Sequence, residues 1–68
     1  MLPIASIERV ADDRDEIVQG DPVLLIIEDD PHYARILLGL SRGKGFKGIV
    51  AAKGAEGLSL ARQFQPSA

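Results

Sequence analysis

Apolar and polar positions divide this chain into a polar first third and a patterned remainder. Ile4, Ile7 and Val10 are spaced by threes, enough for one apolar stripe of a short helix. Pro3 precedes them, however, and the charge cluster Asp12-Asp13-Arg14-Asp15-Glu16 follows. Ile17 and Val18 add one apolar pair before Gln19-Gly20-Asp21-Pro22. That is a turn in which Gly is permissive, Asp caps locally and Pro fixes its own φ. Residues 1–22 therefore read as a connector, with a boundary at the turn.

From Val23 the pattern changes. Val23-Leu24-Leu25-Ile26-Ile27 is an unbroken apolar run, too short for a helix, and predicts a strand over 23–28 covered on both faces. Asp30-Pro31 predicts a helix start, with Asp accepting orphan N–H groups and Pro suited to the first helical position. Tyr33, Ile36, Leu37 and Leu40 follow at helical spacing and mark the expected buried face. The helix should end near Ser41 to Gly43, where Arg42 and Lys44 suit its negative terminus and Gly43 offers a left-handed cap. Residues 46–52, centred on Ile49, Val50 and Ala51, predict a second strand between Gly45 and Gly54. A second helix is expected from 55 to 63 or 64, with Leu58, Ala61 and Phe64 facing inward and Pro66 stopping it. The order strand, helix, strand, helix predicts an α/β unit over 23–68 with parallel strands joined by a right-handed crossover.

Composition narrows the function classes. At 68 residues the chain is one domain at most, and a chain of this size buries only about 60% of its unfolded surface. With no cysteine and one histidine, neither a disulfide nor a structural metal of the zinc type can staple it. A hydrophobic fraction of 46% beside 26% charged residues is that of a folding chain, not a disordered one. The net charge of −2 conceals an asymmetry: residues 1–30 hold nine acids and two bases, residues 31–68 one acid and six bases. A pI near 5.1 argues against a dedicated nucleic-acid binder. The five-residue apolar run is far below the roughly 20 residues that span a bilayer. Met1-Leu2-Pro3-Ile4 does not open a signal peptide, so no membrane segment and a cytoplasmic location are expected.

Candidate chemistry gathers at Glu28, Asp29 and Asp30, at the carboxyl end of the first strand, the edge where open α/β sheets bind ligands. Three adjacent carboxylates repel one another and are tolerated when solvated or when they share a cation. An oxygen-only set favours a hard ion such as Mg²⁺. The Asp-Pro step accounts for Asp30 as a helix cap. For Glu28 and Asp29 a plain polar strand end and a metal site both stay open. The mixed run 12–16 reads as solvated. Gly43-Lys44-Gly45-Phe46-Lys47-Gly48 spells the dinucleotide pattern G-x-G-x-x-G, but it follows a helix and opens a strand, the reverse of the required context. A nucleotide-binding half-domain is thereby disfavoured. His32 reads as an exposed first-turn residue, and Tyr33 and Phe64 as core.

Val23-Leu24-Leu25-Ile26-Ile27-Glu28-Asp29-Asp30-Pro31 resembles the opening of a receiver domain of the response-regulator family, where a hydrophobic strand runs into an acidic pair. Ala52-Lys53-Gly54-Ala55-Glu56-Gly57-Leu58 is similar to the family's second signature. The resemblance covers residues 23–68. It implies a phosphoacceptor module of two-component phosphorelay signalling, with a doubly wound, flavodoxin-like parallel sheet of which this chain holds only the first β-α-β-α part. It also implies Mg²⁺ as cofactor, with Asp29 a direct ligand and Glu28 a ligand through water. The implied partner is a histidine kinase or phosphotransfer protein. The family's phosphoacceptor Asp ends a third strand, which would begin just after Ala68. The chain is therefore expected to be a truncated receiver, not an enzyme, with no catalytic residue of its own and no phosphotransfer alone. The Asp-Asp-Arg run and the Gly-Asp-Pro turn look like the connectors that lead into receivers of hybrid histidine kinases. A reading from another class is an interaction module that forms a homodimer, or docks, by completing its sheet through an exposed edge.

Overall fold

A computed structural model of the protein describes residues 10–68, and the stripe expected from Ile4 and Ile7 lies outside the described residues. The elements are β1 (Val23–Ile27), α1 (Pro31–Gly43), β2 (Lys47–Ala51) and α2 (Gly54–Phe64). β1 and β2 pair in parallel, from Val23 opposite Lys47 to Ile27 opposite Ala51. The architecture is α/β, a two-stranded parallel sheet with two helices.

The unbroken apolar run in β1 is explained by two cores. Ile26 and Val50 lie in one cluster with Ala34 and Leu38 of α1, and Leu24 packs against it. Val23, Ile49 and Ala51 lie in the other with Leu60 of α2, joined by Leu25 and Phe64. Successive strand residues thus alternate between faces, and each face has its own helix.

Both helices are rolled relative to the sequence expectation. In α1 the buried line is Ala34, Leu38 and Ser41, with Leu37 half-buried on its flank. Tyr33, Ile36 and Leu40, expected inside, are 49%, 47% and 60% exposed. The cause is Gly48 in β2, where an added Cβ would collide with the Leu38 side chain and lie 2.8 Å from Ser41 Oγ. The missing side chain seats α1 closely over β2, draws the small-residue side of the helix inward and turns the bulkier stripe away. In α2, Gly57 is buried against Ile27, where a Cβ would stand 2.6 Å from Ile27 Cδ1. Gly57 and Leu60 are therefore inside and Leu58, expected inside, is exposed; Ala61 and Phe64 are half-buried.

The helix ends follow local chemistry. Asp30 Oδ1 accepts the N–H groups of His32 at 2.9 Å and Tyr33 at 3.4 Å, with Pro31 at the first helical position. At the other end the left-handed glycine is Gly45, φ 89°, and not Gly43, which closes the helix. The N–H groups of Lys44 and Phe46 both donate to Ser41 O. Gln65 ends α2 in the left-handed region, and its N–H donates to Ala61 O.

Two segments flank the sheet. Residues 10–16, including a single 3-10 turn at Arg14–Glu16, run antiparallel along the outer edge of β2. Val10 joins the α1-side core and Asp13 is only 5% exposed, so the expectation of a solvated charge run fails for its first members. The turn at 19–21 forms as expected, with Gly20 at φ 97° and Asp21 Oδ2 accepting the Val18 N–H at 2.9 Å. On the opposite edge, the N–H groups of Ser67 and Ala68 donate to Val23 O, and the Leu25 N–H donates to Ala68 O at 3.0 Å. That is the bonding of a parallel neighbour with Leu24 opposite Ala68. β1 therefore lies between β2 and the tail.

Candidate functional site

Glu28, Asp29 and Asp30 occupy the carboxyl end of β1. The sheet fixes the first of them, because the Glu28 N–H donates to Ala51 O at 2.9 Å one residue past the strand. Its carboxylate turns back, and Oε2 accepts the Asp30 N–H at 3.1 Å. Asp29 is exposed. Asp30 is committed to the α1 N-terminus, which directs its oxygens toward the helix and away from its neighbours. The structure thus places Glu28, half-buried, and Asp29, exposed, at the carboxyl end of β1. No group of three His, Cys, Asp or Glu side chains able to hold a metal occurs among the described residues. Nor, among the described residues, does a basic side chain form an ion pair with any of the three carboxylates.

The donor set that remains is the exposed Asp29 carboxylate and the half-buried Glu28 carboxylate, one oxygen of which takes the Asp30 N–H. That set fits a hard cation keeping several of its waters, since Mg²⁺ is commonly held by one or two carboxylates. The position suits ligand binding as well. With β2 on one side of β1 and the tail on the other, the chain's path reverses about β1, and ligands of open α/β sheets bind outside the carboxyl ends of strands at such a reversal.

The neighbouring candidates serve packing. Gly48, last of the glycine pattern, admits α1, and Gly45 supplies the turn. Glu56, in the first turn of α2, folds back so that Oε1 accepts the Ala52 N–H at 3.1 Å. His32 is exposed, as expected, while Tyr33, expected in the core, is half in solvent.

The residues that sequence reasoning passed over are Asp12, Asp13, Arg14 and Arg42. Arg14 grips Asp12 from Nε, to Oδ1 at 2.9 Å and Oδ2 at 3.2 Å, and from Nη2, to Oδ2 at 2.8 Å. Arg42 Nη2 reaches Asp13 Oδ1 at 2.8 Å across 29 positions. Burial by itself would raise the Asp12 pKa, but the hydrogen bonds from Arg14 and the Val50 N–H together hold it below the usual 3.8. For Asp13 the Arg42 guanidinium dominates; with the Gly48 N–H it outweighs burial, and the pKa is again lowered. Charge partition between the two halves was the available signal. It does not say which acid meets which base.

An apolar groove of about 390 Å³ follows β1 and the exposed flank of α1, lined by Leu24, Ile26, Leu37, Leu40 and Phe46 among others. No helix among the described residues is long and apolar enough to cross a membrane. Compared with known proteins, the chain matches no family model, no curated protein and no solved structure.

Proposed function

We propose that this chain is the opening part of a phosphoacceptor receiver domain of a phosphorelay protein, with Glu28 and Asp29 contributing two carboxylates of a Mg²⁺ site. The observation that carries the reading is the tail. Ser67 and Ala68 run parallel to β1 on the edge away from β2, where a third strand of a flavodoxin-like sheet belongs. The acidic pair then stands at the reversal point of the sheet, beside the place where such a strand would end. Bound Mg²⁺ would supply neutralisation of phosphoryl charge. The chain's own residues supply the rest: the sheet positions Glu28, Asp30 opens the helix behind it, and Asp29 stays accessible.

The 68 residues hold no acceptor aspartate at the end of a third strand. Incubation with Mg²⁺ and a small phosphodonor is expected to leave this polypeptide unmodified, and a stable phosphoprotein would refute that. The reading itself is tested by the codons after Ala68. An apolar run ending in Asp within a strand's length, about five or six residues, supports it; a polar sequence there removes it. Mn²⁺ offers a second check, broadening the amide resonances of 28–30 in the chain but not in Asp29→Asn.

A further inference from the structure

The outward groups of β2 are all taken, and by one short segment. Parallel pairing with β1 uses the odd-numbered residues of β2, so the N–H and C=O groups of Gly48 and Val50 point to the outer edge. The Asp13 N–H donates to Gly48 O at 2.9 Å. Asp13 Oδ2 accepts the Gly48 N–H and Asp12 Oδ2 accepts the Val50 N–H, each at 2.8 Å. Arg14 Nη2 donates to Val50 O at 2.9 Å. Three of these four bonds come from side chains, so Asp12-Asp13-Arg14 does the work of a strand without having strand conformation. The Asp12 side chain is 2% exposed, the Arg14 side chain 16%. Just past this edge, Glu56 takes the Ala52 N–H in the same way.

What this segment shuts out follows from the symmetry of the groups it holds. A second copy placed by a two-fold axis at Ile49 would set Gly48 opposite Val50 of its twin. In an antiparallel pair such residues exchange both hydrogen bonds, so the same four groups on each copy would be satisfied. Within Gly48-Ile49-Val50-Ala51 no charge and no proline opposes such pairing. We propose that Asp12-Asp13-Arg14 is a side-chain clasp that keeps the β2 edge closed against a second copy of this chain, and that releasing it converts the monomer into an edge-to-edge dimer through β2. Sheet growth in the clasped protein is then left to the side of β1 on which Ser67 and Ala68 lie.

The test compares the full chain with Asp12→Ala/Asp13→Ala/Arg14→Ala, which removes every side-chain bond of the clasp, by amide hydrogen exchange and sedimentation velocity. In the wild type the Gly48 and Val50 amides should exchange far more slowly than that of Gln19 in the exposed turn. In the variant at low concentration, Val50 exchange should rise about 10- to 100-fold, the effect of removing a charge-assisted bond, while Ile49 changes less. At higher concentration the variant should sediment as a dimer, with Val50 protection restored. A folded variant that stays monomeric would overturn the proposal. So would a wild type whose Val50 amide exchanges as fast as Gln19. Should that variant fail to fold, Asp12→Ala/Arg14→Ala, which frees the Val50 groups alone, is read by exchange at Val50 against Gly48, and the wild-type exchange pattern decides independently.

Discussion

Two acidic clusters in this chain have similar composition and opposite fates. Asp12 and Asp13 lie in the sheltered edge of the sheet, each answered by an arginine and by a backbone N–H of β2. Glu28 and Asp29 stand at a strand end facing water, and no ion pair answers them among the described residues. Burying a carboxylate is costly unless its charge and lone pairs are satisfied, and the first pair meets that condition almost completely. In the second, one Glu28 oxygen takes the Asp30 N–H and Asp29 stands exposed. Acids that hold a fold together and acids free to take a ligand are thus told apart by their partners, and density along the sequence does not separate them.

The largest effect is expected at Asp13. Asp13→Ala would leave the buried Gly48 N–H without its acceptor and release Arg42, 52% exposed, to water, a loss of about 1–3 kcal/mol. At roughly 0.05–0.15 kcal/mol per residue a chain of 68 residues holds about 3–10 kcal/mol, so the loss should appear as a clear drop in the urea midpoint followed by circular dichroism.

Acid probes both members of the first cluster together. Their folded pKa values lie below the usual 3.8, so their contribution is fully present above that value and is lost as pH falls through the lowered ones. The urea midpoint should therefore decline as pH is lowered below about 4, and Asp12→Asn/Asp13→Asn should flatten that decline.

Smaller effects sharpen the contrast at the other cluster. Asp30→Ala removes the cap on α1 and should cost about 1 kcal/mol, read from the same denaturation curves. Glu28→Gln with Asp29→Asn should change stability by no more than about 0.5 kcal/mol while abolishing Mn²⁺ broadening at residues 28–30. A large destabilisation by that pair would erase the distinction between the clusters.

The elements themselves were legible because short apolar runs, Asp-Pro and the glycines are local signals. Both strands came out a residue or two shorter than expected, and both helices ran over nearly the expected residues. Which way each helix faces was not legible. The apolar arc of α1 is wider than its contact, and the choice between the Tyr33–Ile36–Leu40 side and the Ala34–Leu38–Ser41 side was made by Gly48, a residue in another element. The acidic pair at 28 and 29 was found by its place at a strand end. The clasp was missed because Asp12 and Asp13 meet partners some 30 to 38 positions away, beyond the reach of any local pattern. The charge asymmetry carried a trace of it: Asp13 with Arg42, and Asp21 with Lys47, each join an acid of the first half to a base of the second.

The antiparallel course of residues 10–16 also sets a direction of approach. Going backward from Asp13 beside Gly48 to Asp12 beside Val50 leads toward the carboxyl ends of the strands, where Val10 packs with Ala34 near the start of α1. The polypeptide therefore enters the described unit at the end that carries Glu28 and Asp29, and a spin label or fluorophore placed at the exposed Ala11 would sense a metal bound by that pair more strongly than one at Lys44.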